Sequence, residues 1–399
     1  MALTPEAIGY ARDGFPCSPL LAVMVGLLVD VDGADDLLGP SGRRRPGERI
    51  VRPGVADALE AIVEHGREGF YGGAFGAGLV AMSGGEVTRA DLARPIASWV
   101  EPLRCAVWDH DVWTIPPTSQ GYLTLLGAAI AEGLDLGDDP ADPRWVHGLV
   151  ESARAAAHDR ITVLHDGAPV AELLARDEVA ARRAQIDLQR RARHGAPTSA
   201  GDTTYLCVVD QDGMGVSLIQ SNASGFGTHL FEPSTGIGLH NRGIGFSLVP
   251  GHRAEYGPGR RPIHTLCPAV VTRPGGDLRA VLGTMGGDSQ PQILLQVLAR
   301  LLALGQPAGA CIGEPRWALA RAAGTGFDTW TDPDDQIVRV EQTAPPAWTS
   351  GLEARGHVVE QVDGVFGTLG HAQLIEVLPD GGRAGAADPR AVIGAAQGW

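Results

Sequence analysis

Two adjacent threonines, Thr203 and Thr204, stand at the start of an apolar run, directly after the loop residues Gly201 and Asp202. The run TTYLCVVD predicts a buried strand, so a hydroxyl group is expected at the end of a sheet. If the chain is cut before Thr203, the freed α-amino group, with an ordinary pKa of about 7.7–8.0, can take the proton of the threonine hydroxyl. Threonine is also a common strand residue, so this pattern alone favours a structural role over a nucleophile.

Two later segments carry further polar chemistry. In PGRRPIHTLCPAVV, prolines bound a turn that holds His264 and Thr265, whose imidazole and hydroxyl groups can bind a polar substrate group. In LGTMGGDSQPQ, Gly286 and Gly287 lead from a predicted strand into a predicted helix. Backbone N–H groups at such a turn can face a developing oxyanion. Close packing of the strand against the helix is the alternative explanation for the two glycines.

The charge balance disfavours several classes of function. The chain has 399 residues, with 32 basic against 47 acidic residues and a net charge of −15, so we expect no affinity for nucleic acid or for an anionic membrane. Every basic residue is an arginine. The missing lysine excludes Schiff-base chemistry and the lysine of a phosphate-binding loop.

The sequence contains no recognisable metal-binding or cofactor-binding motif. The 12 histidines show no H-E-x-x-H spacing or comparable ligand cluster, and G-x-S-x-G does not occur. The segment from Gly225 to Gly227 is too short a signal for a nucleotide loop and is typical of a hairpin or bulge. We therefore expect neither a metal nor a cofactor.

The cysteines and the apolar runs predict a cytoplasmic protein. The apolar run from Leu20 to Val29 is too short to span a bilayer and lacks a basic leader, which disfavours a secretory signal. Five cysteines without a C-x-x-C pair are typical of reduced, mostly buried thiols. They are Cys17, Cys105, Cys207, Cys267 and Cys311.

The first half of the chain predicts helices joined by loops. Capping and periodicity indicate helices over Pro5–Asp13, Pro53–His65, Gln120–Leu134 and Trp145–Ile161, and a charged helix with solvated arginines before Gly195. From Thr203 the pattern changes to strands. Asp212-Gly213 predicts a hairpin between TTYLCVVD and GVSLIQS, and further strands are expected at Ala269–Thr272, Arg279–Leu282, Ile337–Val340, His357–Val362 and Ala372–Val377. Helices followed by strands predict an α+β domain whose sheets come mostly from residues beyond 200.

An ordered set of motifs makes the sequence recognisable. TTYLCVVDQDG, SGFGT, GIGLHNRGIGF, GRRPIHTLCP, GTMGGDSQPQ and GAADPRAVIGAAQGW follow one another in the second half. EAIGYARDGFPCSP, EHGREGFYGG, DLARPIASWVEPLR and IPPTSQGYLTLLGA precede them. This succession resembles the γ-glutamyltranspeptidase family of N-terminal-nucleophile hydrolases, and it extends over essentially the whole chain.

The resemblance implies a fold, a maturation step and a site. The expected fold is an αββα sandwich, and the expected cleavage lies between Asp202 and Thr203, so that residues 1–202 form a large-subunit portion and 203–399 a small catalytic subunit. The two fragments are expected to stay associated. By position, Thr203 resembles the nucleophile and Ser221 the hydroxyl residue beside it. Gly286 and Gly287 resemble the oxyanion glycines, while His264 and Thr265 stand where relatives hold the substrate carboxylate.

Three positions depart from the family pattern. Where relatives grip the α-amino end of a γ-glutamyl group with an asparagine, a glutamine and an acidic residue, this chain has Ala223, Arg242 and Gly245. An arginine repels an ammonium group and suits a carboxylate. The motifs NRGIGF, RPIHTLCP and MGGDSQPQ are more similar to the branch of the family that includes oxamate amidohydrolase than to its classical members. Arg242 is therefore predicted to bind a substrate carboxylate.

The family also has a segment before the counterpart of EAIGYARDGFP, with sheet strands and a carboxylate-binding arginine, so we expect a sandwich that is incomplete at its N-terminal side. The leading hypothesis is a self-processing amidohydrolase or acyltransferase that acts on a small carboxylate-bearing amide through an acyl ester of Thr203. One alternative is an ordinary glutathione hydrolase or γ-glutamyl transferase. Another is an inactive family member that serves as a binding or assembly unit.

Overall fold

The computed structural model describes residues 5–192, 202–322, 328–330, 332, 334–365 and 369–398. The chain divides into two compact units. The first unit comprises residues 1–99 and 224–241, and the second comprises residues 100–223 and 242–399. Helices and strands occur in both units, in keeping with the predicted α+β class.

The first unit is built mainly from short helices. Its elements are α1 (Pro5–Asp13), β1 (Phe15–Pro16), α2 (Pro19–Met24), β2 (Arg49–Ile50), α3 (Pro53–His65), α4 (Arg67–Tyr71), α5 (Ala74–Met82), α6 (Arg89–Ala93), β7 (Phe231–Glu232) and β8 (Ile237–Gly238). The α3 helix has the predicted bounds, because Pro53 occupies its first turn and Gly66, with a φ of 61°, ends it. A small core forms around Val25, Leu28 and Phe231.

The second unit contains the predicted site residues. Its helices are α7 (Tyr122–Glu132), α8 (Pro143–Ala157), α9 (Arg160–Val163), α10 (Arg176–Arg183), α11 (Gln290–Leu298), α12 (Ala308–Gly313) and α13 (Pro346–Ala354). Its strands are β3 (Leu103–Val107), β4 (His110–Thr114), β5 (Asp202–Val209), β6 (Gly215–Ala223), β9 (Ala269–Thr272), β10 (Leu278–Met285), β11 (Trp317–Arg321), β12 (Gln336–Glu341), β13 (Val358–Val362), β14 (His371–Val377) and β15 (Arg383–Ala387).

A six-stranded antiparallel sheet organises this unit, in the order β15, β14, β10, β9, β4, β3. Successive residues of β10 face opposite sides of the sheet. Ala280 and Leu282 belong to the main hydrophobic core, which also contains residues of α7, α8 and α11. Val281 and Gly283 face the other side and contact the β5–β6 hairpin. The sheet is thus covered by helices on one face and by a hairpin on the other.

The helices on that face are buried almost completely. Residues 122–131 of α7 and 145–157 of α8 are all buried, so both helices lie inside the unit rather than at its surface. Helix α11 contacts both of them and also β10. A smaller sheet, in the order β11, β12, β13, combines an antiparallel and a parallel pair.

The β5–β6 hairpin confirms the prediction from Asp212-Gly213. Gly213 has a φ of 84°, and its N–H donates to the carbonyl oxygen of Asp210 at 3.2 Å. Thr203 and Tyr205 are buried on the inner face of β5, whereas Leu206 is 45% exposed on the outer face. The hairpin therefore points Thr203 toward the interior of the second unit.

Two expectations for the first half were wrong. The segment predicted as helices and loops contains the β3–β4 hairpin, which extends the central sheet. Its turn residues Trp108 and Asp109 have φ angles of 46° and 57°, a geometry that normally selects glycine or asparagine, and this explains why the turn lacks the usual signal.

The charged helix before Gly195 is also shorter than predicted. Helix α10 ends at Arg183, and residues 184–192 are not helical; the rest of the predicted helix, residues 193 and 194, lies outside the described residues. Its arginines are not all solvated: Arg182 is 3% exposed and pairs with Asp159 at 2.6 Å. Arg183 donates to the carbonyl oxygen of Ile130 at 3.0 Å, at the end of α7.

All five cysteines carry free thiols, and Cys17, Cys267 and Cys311 are buried, as the sequence predicted. Among the described helices, none combines the length and the apolar character that a bilayer crossing requires.

Candidate active site

Thr203 is the second residue of β5, at an irregularity in its pairing with β6. Asp202 pairs with Ala223 and Thr204 with Gln220, so the register shifts across Thr203. The extra residue of this bulge lies on β6, where Ser221 and Asn222 stand opposite the single residue Thr203. Only 9% of Thr203 is exposed, and Asp202 before it is the first residue of the same strand. The predicted nucleophile thus lies at the start of a strand, in a nearly water-free position.

Within the described residues, the side chains of Ser221 and Gln290 contact the hydroxyl group of Thr203. Its Oγ1 donates a hydrogen bond to Ser221 Oγ at 3.2 Å, and it accepts one from Gln290 Nε2 at 3.2 Å. Ser221 Oγ also accepts the backbone N–H of Ala223 at 2.9 Å. Ala223 has a φ of 72°, a conformation that is uncommon for residues other than glycine. The structure therefore brings together Thr203 and Ser221, and it adds Gln290.

Gly286 and Gly287 form the turn between β10 and α11, as predicted. Gly286 has a φ of 135° and Gly287 a φ of 57°, both in the region that favours glycine. The carbonyl oxygen of Gly286 accepts hydrogen bonds from the N–H of Ser289 at 3.0 Å and from its hydroxyl at 2.7 Å. A Cβ atom on Gly286 would lie 2.6 Å from Ser289 Oγ. The turn is fixed by these contacts, which is a requirement for preorganised backbone donors.

Gln120 connects this turn to the segment that holds His264 and Thr265. Its Nε2 donates to the carbonyl oxygens of Gly287 at 3.1 Å and Thr265 at 3.4 Å. Its backbone N–H donates to the carbonyl oxygen of His264 at 3.1 Å. Gln120 is completely buried. One side chain thus fixes the position of the glycine turn relative to the predicted carboxylate-binding residues.

His264 is held as a neutral imidazole. Burial lowers its pKa to about 4, and the positive charges of Arg242 and then Arg160 add to the effect. His264 Nδ1 accepts the backbone N–H of Leu266 at 3.3 Å, which leaves the ring proton on Nε2. The hydroxyl oxygen of the neighbouring Thr265 makes no hydrogen bond within the described part of the chain, and this residue is 2% exposed. Both residues can therefore offer a hydrogen-bond donor to a ligand.

Arg242 is a half-buried residue whose guanidinium Nε and Nη1 atoms are buried, near the buried side chains of Arg160 and Asp288. Burial lowers its pKa to about 10, with a further contribution from the charge of Arg160, so the guanidinium remains protonated at neutral pH. Arg160 Nη2 lies 3.6 Å from Asp288 Oδ1, and the two side chains are 2% and 1% exposed. Burial raises the pKa of Asp288 to about 6, against the opposing effect of the two arginines. Asp328 also acts on Asp288 and adds to the rise of its pKa, so this region holds charges of both signs around the guanidinium groups of Arg242 and Arg160.

The sequence analysis missed three of these residues. Gln120 lies within the motif IPPTSQGYLTLLGA and Gln290 within GTMGGDSQPQ, but neither motif indicates a role for the glutamine, and Arg160 lies in a segment whose signal is helical periodicity. Their buried positions depend on partners more than 80 residues away along the chain, as in the contact between Gln290 and Thr203 with its separation of 87 residues. A contact with so distant a partner cannot be inferred from the pattern of neighbouring residues.

The expectation that the histidines form no cluster was also wrong. His147 Nδ1 lies 2.9 Å from His357 Nε2, and Glu151 Oε1 lies 3.7 Å from the same His357 nitrogen. The carboxylate is already occupied by Arg154 Nη1 at 2.7 Å and by the N–H of Ala192 at 2.9 Å. The nearby arginine would repel a metal ion, so the cluster is a buried hydrogen-bond network.

Comparison with known proteins confirms the resemblance. The sequence matches the family described as gamma-glutamyltranspeptidase over residues 2–398. The oxamate amidohydrolase proenzyme of Klebsiella pneumoniae is 32% identical over an alignment of 409 residues, gaps included, which covers 100% of this chain and 75% of the relative. The glutathione hydrolase-like YwrD proenzyme of Bacillus subtilis is 33% identical over 394 residues, which cover 96% of this chain and 73% of the relative.

A solved structure has a similar fold. Cephalosporin acylase from Bacillus halodurans superposes with a TM-score of 0.84 at 32% identity, covering 97% of this chain and 72% of that chain. The similarity confirms the predicted fold class, with mixed helices and sheets arranged as in an N-terminal-nucleophile hydrolase. The chain therefore belongs to the gamma-glutamyltranspeptidase family of enzymes.

Proposed function

We propose that this chain is a proenzyme that cuts itself between Asp202 and Thr203 and then hydrolyses a small amide that carries a carboxylate. The observation that carries the proposal is the hydrogen bond from Thr203 Oγ1 to Ser221 Oγ at 3.2 Å, at the position where the family places its nucleophile. The proenzyme names of its relatives support the maturation step.

In the precursor, Thr203 Oγ1 attacks the carbonyl carbon of Asp202. The C–N bond breaks, the hydroxyl proton passes to the leaving nitrogen, and an ester joins Asp202 to Thr203 Oγ1. The α-amino group of Thr203 is free from this point, and water then hydrolyses the ester to the carboxyl group of Asp202 and the hydroxyl group of Thr203. Ser221 Oγ accepts the hydroxyl hydrogen bond and so orients the attacking oxygen.

In the mature enzyme, the α-amine of Thr203 becomes the general base for its own hydroxyl. The hydroxyl oxygen attacks the substrate amide, the amine leaves with a proton, and water hydrolyses the acyl ester. Backbone N–H groups of Gly286 and Gly287 stabilise the oxyanion of each tetrahedral intermediate. The fragments 1–202 and 203–399 stay associated, because α7 and α8 of the first share one hydrophobic core with α11 and β10 of the second, and β4 of the first pairs with β9 of the second.

Arg242, His264 and Thr265 form the substrate carboxylate site in this proposal. A buried guanidinium and two neutral donors can bind a carboxylate, whereas they repel or fail to match an ammonium group. Gly245 supports the same choice, because a Cβ atom there would lie 2.2 Å from the carbonyl oxygen of Ile263 and leaves no room for an acidic side chain. Oxamate, named in the Klebsiella pneumoniae relative, is the first compound to test.

The test of maturation compares Thr203→Ala with Thr203→Ser on a denaturing gel. The alanine variant lacks the attacking oxygen and should stay intact, whereas serine keeps a hydroxyl and should still be cut. Cleavage of Thr203→Ala at the wild-type rate would contradict the proposal. An intact wild-type chain would instead favour the alternative of a family member that serves as a binding or assembly unit.

A further inference from the structure

Gln290 is a buried amide that touches the oxygen of the proposed nucleophile. It is the first residue of α11 and is completely buried. Its Nε2 lies 3.2 Å from Thr203 Oγ1. The turn at Gly286 and Gly287 and the proline at position 291, which is favoured in the first turn of a helix, fix the point where the helix begins. The same turn that presents backbone donors thus also places this side chain.

The orientation of the Gln290 amide is determined by a second contact. Its Oε1 accepts the backbone N–H of Cys267 at 3.1 Å. A backbone N–H can only donate, so the amide oxygen must face Cys267 and the NH₂ group must face Thr203. Gln290 therefore presents a hydrogen-bond donor to Thr203 Oγ1.

We propose that Gln290 is a catalytic residue that stabilises Thr203 Oγ1 when this oxygen is the leaving group. The inference rests on the proposed function and deepens it. Each ester of Thr203, in maturation and in turnover, is broken by water that adds to the carbonyl carbon. When the tetrahedral intermediate collapses, the C–Oγ1 bond breaks and its electron pair passes to Oγ1, which then takes a proton from the ammonium group of Thr203.

A donor to Oγ1 has opposite effects on the two halves of the reaction. During attack, a hydrogen bond to the lone pair of Oγ1 holds the oxygen in place but also lowers its nucleophilicity. During ester breakdown, the same hydrogen bond stabilises the developing negative charge, and hydrogen bonds to charged groups are the stronger kind. Loss of the donor should therefore slow ester breakdown more than ester formation.

The experiment follows processing of Gln290→Leu over time, with neutral hydroxylamine added to aliquots to cleave any ester. We expect processing to slow by about tenfold or more, as for the loss of one preorganised donor, and the hydroxylamine-sensitive fraction of uncut chain to rise. The matched control is Gln296→Leu. Gln296 is 2% exposed on the same helix, its Oε1 accepts the N–H of Trp317 at 3.1 Å, and its Nε2 donates to the carbonyl oxygen of Trp317 at 2.9 Å.

Both leucine variants lose the hydrogen bonds of a buried side-chain amide, so their free energies of unfolding should fall by similar amounts. Only Gln290→Leu should be processed slowly. A second variant, Gln290→Glu, introduces a side chain of nearly the same shape as glutamine. It is therefore expected to fold even if Gln290→Leu does not. An ionised carboxylate cannot donate to Oγ1, whereas a protonated one can. The processing rate of Gln290→Glu relative to wild type should therefore rise as the pH falls through the pKa of the new carboxyl group.

The outcomes separate this inference from the proposed function. A wild-type chain that stays uncut overturns the proposed function and this inference with it. A wild-type chain that is cut, together with a folded Gln290→Leu chain cut at the same rate, overturns the inference alone. A Gln290→Glu rate that follows wild type at every pH overturns it as well.

Discussion

At the scale of single residues, the candidate site combines the proposed nucleophile with polar and charged side chains. Thr203 Oγ1 lies between Ser221 and Gln290, and Arg242 is close enough to His264 to contribute to the lowering of its pKa. The sequence predicted each of these residues except Gln290. Motif order identifies a residue whose position is common to a family, whereas a buried amide with a distant partner leaves no local signal.

Arg242 provides the test of substrate choice. Replacing it with glutamine removes a buried cation, and loss of a buried charge partner lowers affinity by roughly tens to thousands of fold. We expect Arg242→Gln to lose at least about tenfold in kcat/KM for oxamate or succinamate, with a smaller change for γ-glutamyl-p-nitroanilide. Arg253→Gln, at an exposed arginine, is the control for loss of one positive charge.

Two results would contradict the role of Arg242. One is efficient turnover of the γ-glutamyl substrate by wild type, which would favour glutathione chemistry. The other is an unchanged ratio of the two specificities in Arg242→Gln, which would mean that the arginine only braces its own loop.

At the scale of elements, the β5–β6 hairpin and the glycine turn position the site. The hairpin was predictable because Asp212-Gly213 is a local turn signal, and the glycine turn because two glycines follow an apolar strand. The β3–β4 hairpin was not, because Trp108 and Asp109 adopt positive φ angles without a glycine. Pairing between distant strands, which holds that turn in place, cannot be inferred from a local window.

A substitution at Gly283 tests the packing of the β5–β6 hairpin against β10. A Cβ atom at this residue would lie 2.2 Å from the ring of Tyr205, which is two residues beyond Thr203 on the inner face of β5. We expect Gly283→Ala to lower the free energy of unfolding by about 1–3 kcal/mol through overpacking and to slow processing by displacing β5.

The control for this prediction is Gly275→Ala, since a Cβ atom at Gly275 has no neighbour within 4 Å. Chemical denaturation and the processing rate are measured for both variants. Equal stability and equal processing in the two variants would show that Tyr205 does not fix the hairpin on β10.

At the scale of the whole molecule, buried neutral histidines make stability depend on pH. Burial lowers the pKa of His357 to about 2, with added repulsion from His147 and nearby arginines, whereas an unfolded histidine has a pKa of about 6.5. The folded state then binds fewer protons than the unfolded state below pH 6.5. This contribution to stability is complete above that pH and is lost as the pH falls.

Between pH 7 and pH 5, one such histidine accounts for a loss of about 2 kcal/mol in the free energy of unfolding. We expect His357→Gln to show a smaller loss than wild type over this range by about that amount. The measurement is urea denaturation at both pH values. A pH dependence that is unchanged in the variant would mean that His357 is protonated in the folded protein.

The central claim is that Thr203 becomes a new N-terminus. Intact mass measurement of the purified chain, combined with N-terminal sequencing, tests this most directly. The account predicts two associated fragments, the second of which begins Thr203-Thr204-Tyr205 and contains residues 203–399. A single intact chain, or a fragment that begins at any other residue, would contradict it.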